Sequence, residues 1–159
     1  MGEQIVLVSG DKAPNFSLRG DDGQLYSLAN FKNKPLVLFF YPKDLTPGCT
    51  TEACDFSAAF EEFSKYSVSI VGISKDPLAS HLRFKSAHNL RMLLLSDPDL
   101  AVHQQYGAYG TKVMYGKTSV GVIRSTFFID EKGDIIKSWY KVRVKTHVNA
   151  VLDTVKKRS

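Results

Sequence analysis

Pro35-Leu36-Val37-Leu38-Phe39-Phe40-Tyr41 is a nearly unbroken apolar run that stops at Pro42. Such a run, of strand length and without polar alternation, is the pattern of a β-strand buried on both faces. It predicts a central place in a sheet. From about Thr50 to Tyr66, Ala53, Phe56, Phe60 and Phe63 recur at helical spacing, with Asp55, Glu61, Glu62 and Lys65 largely on the opposite side, which predicts an amphipathic helix. Val68 to Ser74 reads as a second buried strand. Strand, helix and strand in that order form a βαβ unit.

Working outward, Asn15 to Leu18 and Gln24 to Leu28 flank Gly20-Asp21-Asp22-Gly23, an N-terminal hairpin signal. Leu78 to Asn89 reads as a helix introduced by Asp76-Pro77, with proline in its first turn. Met92 to Leu95 is a short strand and Asp97 to Tyr106 a short helix, while the glycine-punctuated stretch Gly107 to Gly121 takes no assignment. Ser125 to Asp130 and Asp134 to Tyr140 form a hairpin across Glu131-Lys132-Gly133, and Thr146 opens a final helix with Val148, Val151, Leu152 and Val155 on one face. The sum is an α/β fold, a mixed central β-sheet flanked by α-helices, in a single domain over residues 1–159.

The chain is long enough to bury a core without disulfides or a structural metal, at 159 residues with 43% hydrophobic and 23% charged. Its two cysteines are free for other work. No apolar run approaches the ~20 residues of a membrane helix, and Met1-Gly2-Glu3-Gln4-Ile5-Val6 lacks a signal-peptide pattern. A cytoplasmic, reducing location follows as the expectation. Residues 1–80 carry 7 Lys and Arg against 10 Asp and Glu, whereas the rest carry 14 against 6. The basic residues are scattered, apart from Lys156-Lys157-Arg158 and from Lys141 to Lys145, whose alternation reads as one polar face of a strand. Nucleic acid is not an expected partner.

Cys49 follows Thr46-Pro47-Gly48 at or just before the start of the predicted helix. Unpaired N–H groups and the helix dipole favour an anion there. A thiolate is the anion cysteine can form, and such placement lowers a cysteine pKa from ~8.5 into the range of about 3.5–7.5. Cys54 lies five residues on. In an intact helix that spacing puts the Cα atoms ~8.6 Å apart, beyond the ~7 Å limit for a disulfide. A bond between them requires the first turns to unwind, so a reduced helical state and an oxidised, locally melted one are expected. The alternative reading of either cysteine is a small buried hydrophobe, which suits Cys54 better than Cys49. Neither a Cys-x-x-Cys dithiol site nor a tetrahedral zinc site fits the pair.

Tyr41-Pro42-Lys43-Asp44-Leu45-Thr46-Pro47-Gly48-Cys49-Thr50-Thr51-Glu52-Ala53-Cys54 resembles a peroxiredoxin active site of the bacterioferritin comigratory (Q-type) subfamily. The general motif Pro-x-x-x-Thr-x-x-Cys is met at Pro42, Thr46 and Cys49, and the family arginine matches Arg124. The likeness extends through Gly10 to Phe16, Gly72-Ile73-Ser74, Leu95 to Pro98, Tyr115-Gly116-Lys117 and Arg124 to Phe127. The resemblance implies a thioredoxin-like fold and an atypical two-cysteine peroxidase. Cys49 would attack the O–O bond of hydrogen peroxide or an organic hydroperoxide and become a sulfenic acid. Cys54 would resolve it as an intramolecular disulfide, and thioredoxin or a related dithiol reductant would recycle the enzyme. No metal, haem or flavin cofactor is implied, and the subfamily is often monomeric.

Within that resemblance Arg124 would stabilise the thiolate and hold the peroxide without competing for protons. Thr46 would donate its hydroxyl to the thiolate or the peroxide oxygen. Pro42, lacking an N–H, would shield the pocket from water. Glu52 would orient Arg124, or would be a dipole-favoured acid of the first turn. His81, His88, His103 and His147 show neither metal-ligand spacing nor an acidic partner, Trp139, Phe39, Phe40 and Phe127 read as core or strand-face residues, and Phe84 and Phe128 are lesser candidates, outside the site, to line a hydrophobic mouth. Two other functions fit the same cysteines: a disulfide exchanger or holdase chaperone on a thioredoxin fold, and a redox sensor that signals by unfolding its helix.

Overall fold

The computed structural model describes residues 5–158. Met1 to Gln4, part of the stretch read for targeting signals, lie outside the described residues. Among the described residues nine strands and five α-helices follow one another: β1 (Ser17–Gly20), β2 (Leu25–Ser27), β3 (Leu36–Phe40), α1 (Pro47–Ala58), α2 (Phe60–Ser64), β4 (Ser69–Ser74), α3 (Leu78–His88) and β5 (Leu93–Ser96), then α4 (Ala101–Gln105), β6 (Tyr109–Met114), β7 (Lys117–Val122), β8 (Ser125–Ile129), β9 (Ile135–Trp139) and α5 (His147–Arg158). A seven-stranded sheet has the order β2-β1-β5-β4-β3-β8-β9, and β6 and β7 form a separate ribbon. β3 runs parallel to β4 and antiparallel to β8, and β4 runs parallel to β5.

The apolar run of β3 is buried throughout because both faces of the sheet are covered. Successive side chains alternate across a strand, so Val37, Phe39 and Tyr41 enter one core, with α1, α3 and α5, while Leu36, Leu38 and Phe40 enter the other, with α4 and the segment around Phe16. Gly72 of β4 lets the neighbouring side chains close in: a Cβ there would lie 2.8 Å from the Phe39 ring.

Several boundaries differ from the sequence expectation for identifiable reasons. The helix read from Thr50 begins three residues earlier, because Pro47 at its first position is already held at a helical φ. It is interrupted at Ala59, whose ψ of 3° departs from helical geometry. Pro77 is the extended N-cap of α3, not a first-turn residue. The short helix near Asp97 starts only at Ala101, after Leu100 at φ 64°. Gly107 to Gly121, left open, contains the β6–β7 ribbon, turned at Tyr115 and Gly116 with both φ positive, as a two-residue type I′ hairpin turn requires. Lys141 to Lys145 is not a strand. Lys141 is left-handed at φ 53° and ends the β9 path, and the segment crosses to α5 as a loop. Phe84 and Phe128 line no mouth: both are fully buried.

Candidate active site

The turn from β3 into α1 carries Pro42 to Thr46, with Leu45 in the left-handed region at φ 65°. A buried polar cluster holds it. Asp44 accepts hydrogen bonds from the Tyr41 hydroxyl (2.7 Å) and the Ser80 hydroxyl (2.8 Å) and pairs with His81 Nδ1 at 2.7 Å. The Asp44 backbone N–H donates to Asp76 Oδ2 at 2.8 Å. Burial alone would push the His81 ring down, but the hydrogen bond and charge of Asp44 prevail and raise it. His103 likewise pairs with Asp97, at 2.6 Å. The expectation that the histidines lack acidic partners is therefore overturned for His81 and His103. The cluster was missed because Asp44 and His81 lie 37 residues apart in the chain.

Thr46 is the N-cap of α1 but makes no side-chain cap. Its Oγ1 donates instead to the Lys43 carbonyl at 2.7 Å, so its proton is spent within the turn rather than directed at Cys49. Cys49 is the third residue of α1, inside the first turn whose N–H groups lack helical partners. Its thiol is free and buried.

Two strands bring the rest together. Phe40 at the end of β3 pairs with Ser125 at the start of β8, which sets Arg124 beside the β3–α1 turn. Its guanidinium reaches two acids at once: Nη2 lies 3.4 Å from Cys49 Sγ and Nη1 lies 2.7 Å from Glu52 Oε1. Gly48 makes room, since a Cβ there would stand 3.3 Å from Nη2. That role was legible only as the glycine of Thr-Pro-Gly-Cys. Glu52 is fully buried and lies beyond the first turn of α1, so it is not a dipole-favoured first-turn acid. Burial pushes its carboxyl up to about 7 against the pull of Arg124.

A cavity of about 380 Å³ opens between Pro42 and Arg124 and is walled by Val113 of β6 and Val122 of β7. It gives a small substrate a way to Arg124. Cys54 sits two turns into the helix, half-buried against the core of α1 and α5. Burial, and then Asp55, push its thiol up. Among the described residues no group of three or more His, Cys, Asp and Glu is placed to hold a metal ion, and no helix is long and apolar enough to cross a membrane.

Residues 9–138 match the AhpC/TSA family model. The chain belongs to the AhpC/TSA family. It is 46% identical over 98% of its length to peroxiredoxin Bcp of Bacillus subtilis, 99% of which is covered. The bacterioferritin comigratory protein of Xanthomonas campestris, solved as trapped-intermediate and ligand complexes and described for alkyl peroxide reduction, superposes with TM-score 0.86 at 35% identity, covering 98% of this chain and 99% of that one. A PrxQ mutant of Xylella fastidiosa gives TM-score 0.90 at 30% identity, covering 97% and 98%. The fold is thus the thioredoxin-like peroxiredoxin fold, and this peroxiredoxin is a thiol peroxidase.

One titration near the site gives a measurable signature. His147, at the start of α5, shares a hydrogen bond with Thr126 Oγ1 (2.8 Å). Burial, and then the Arg124 charge, depress its ring to about 4, whereas in the unfolded chain it titrates near 6.5. Between these values the unfolded chain binds a proton that the folded one refuses. The stability contribution is therefore complete above about pH 6.5 and lost as the pH falls toward 4. Glu52, raised rather than lowered, works in the opposite sense, so a comparison of variants is needed. Urea unfolding at pH 7 and pH 5 should show His147→Gln losing about 2 kcal/mol less than wild type between the two. Equal losses would contradict the assignment.

Proposed function

We propose that Cys49 is the peroxidatic nucleophile and that Cys54 resolves its sulfenic acid as an intramolecular disulfide, reduced in turn by thioredoxin or a related dithiol donor. The observation that carries this reading is Arg124 against Cys49 Sγ at 3.4 Å in the first turn of α1: a permanent cation beside a thiol offers the charge needed to hold a thiolate and an incoming peroxide oxygen. Hydrogen peroxide and organic hydroperoxides are the proposed substrates, entering between Pro42 and Val113. Pro42 shields this approach. Thr46 supports the site by fixing the turn, its hydroxyl oxygen left with both lone pairs to accept. Glu52 orients Arg124.

Both thiols are free and both lie within α1, which fits the reduced, helical state. An intramolecular pair makes a second subunit unnecessary, and we propose a cytoplasmic monomer working as one domain, with antioxidant defence as its role and neither nucleic acid nor membrane as a partner.

The test is to mix reduced protein with a slight excess of hydrogen peroxide. Rapid loss of both thiols, recovery with thioredoxin and continued turnover are expected. Oxidation no faster than that of an ordinary free thiol would reject the reading. Cys54→Ser should consume about one equivalent of peroxide and then stall; undiminished turnover with thioredoxin would remove Cys54 as resolver. Far-UV circular dichroism should show helix lost on oxidation, because the disulfide cannot span an intact i, i+5 separation.

A further inference from the structure

Arg124 contacts two acids, Cys49 at 3.4 Å and Glu52 at 2.7 Å, and one guanidinium can balance only one full negative charge. Lys112 and Lys141 line the neighbouring cavity, but among the described residues Arg124 alone is the cation recorded against either acid. The charged groups acting on Glu52 are Arg124, from the β7–β8 connection, and Asp55 of α1; Arg124 in turn touches Cys49 and acts on His147 of α5. The His147 ring is held neutral at ordinary pH by its burial and by Arg124. Glu52 Oε2 is buried and finds no hydrogen-bond partner among the described residues. A carboxylate oxygen so placed is costly, whereas a neutral carboxyl is much less so. Two acids flanking one partly buried cation titrate as a coupled pair.

Resting on the peroxidase reading above, we propose that Glu52 stores the proton that peroxide reduction consumes. While Cys49 is the thiolate, Glu52 is the neutral carboxylic acid. The thiolate attacks one peroxide oxygen, so the S–O bond forms, the O–O bond breaks, and the leaving oxygen departs with the electron pair. Sulfur is oxidised and the peroxide reduced. The departing alkoxide or hydroxide is protonated by solvent water and leaves as alcohol or water, and Glu52 gives its proton to the hydroxide so formed, while Arg124, which stays protonated throughout, exchanges the thiolate for the Glu52 carboxylate as its counter-ion. Glu52 is then the anion paired with Arg124. The buried site has the same net charge before and after the step, so the low-dielectric interior never carries an uncompensated ion. Glu52 acts through Arg124 and is a positioning residue that also carries the proton.

Proton counting tests this. At pH 8, above the pH at which Glu52 titrates beside a neutral neighbour, reduced protein in weak buffer with an indicator dye is given one equivalent of hydrogen peroxide. Lost thiols and the ultraviolet thiolate band are recorded together. Wild type should lose its thiolate band with close to zero protons taken up per pair of thiols lost. Glu52→Gln keeps a carbonyl oxygen to accept from Arg124 but has no proton to give, and should take up close to one. Equal uptake in the two proteins overturns the proposal. So does one proton taken up by wild type, or a wild-type site without a thiolate band, and these hold even if the variant does not react. Absence of rapid thiol loss in wild type would instead reject the peroxidase reading.

Discussion

Replacing Cys49 with serine should lower peroxide turnover by at least about 10⁴-fold, because a hydroxyl at neutral pH is not a nucleophile unless a base activates it. Among the described residues no base is recorded in contact with the Cys49 thiol, and Glu52 is bonded to Arg124 instead. His147 is hydrogen-bonded to Thr126 and His81 is buried against Asp44, and Arg124, the group that touches the thiol, cannot accept a proton. Serine is close to cysteine in volume and can still accept from Arg124, so the fold should survive. Steady-state peroxide consumption measures the rate, and urea unfolding checks the fold. A folded Cys49→Ser protein retaining more than a few per cent of activity would place the nucleophile elsewhere.

Arg124→Met should slow oxidation of Cys49 by about 10²–10³-fold, the usual cost of removing one donor aimed at developing charge. Methionine fills much of the same space but leaves Glu52, fully buried, without its cation. Breaking a buried pair in this way costs about 3 kcal/mol or more. The cost should grow with pH, because the unpaired carboxyl can escape it by staying protonated at low pH and must ionise in the unfolded chain at high pH. The double variant Arg124→Met with Glu52→Gln should recover much of the lost stability and none of the lost rate. Stopped-flow oxidation and urea unfolding at two pH values separate these effects. Recovery of the rate in the double variant would mean that Arg124 acts only by compensating Glu52.

The parts of this molecule that were legible in advance are those with local signatures. The double-sided burial of β3, the helix bearing Phe56 and Phe63, and the turn chemistry of Gly20 to Gly23 each follow from residue spacing. Cys49 stood out for the same reason, as a thiol following Pro and Gly at a helix start. What was not legible depends on tertiary placement. The Asp44–His81 pair is brought together from 37 residues apart, and the Asp97–His103 pair, six residues apart, matches no helix or strand spacing, so no spacing rule announces either. The β6–β7 ribbon was hidden because its turn rests on Tyr115 adopting positive φ, a conformation residues with a Cβ rarely take. Lys141 to Lys145 had strand-like alternation but no strand partner to pair with, and pattern without pairing does not make a strand. The uneven charge of the two halves also gains an account. Lys85 with Asp21, Arg91 with Glu61 and Arg124 with Glu52 each join a cation of the second half to an acid of the first.

The register that pairs Phe40 with Ser125 sets an order of events for a chain made from its N-terminus. Cys49, its turn and its helix are all synthesised while β3 still lacks its neighbour β8. Until residue 124 has been added and β8 has docked along β3, the thiol has no guanidinium beside it. If Cys49 is the nucleophile proposed above, the nascent chain carries it without its guanidinium and gains full peroxide reactivity only as the sheet closes, so the last strands to arrive switch on the chemistry.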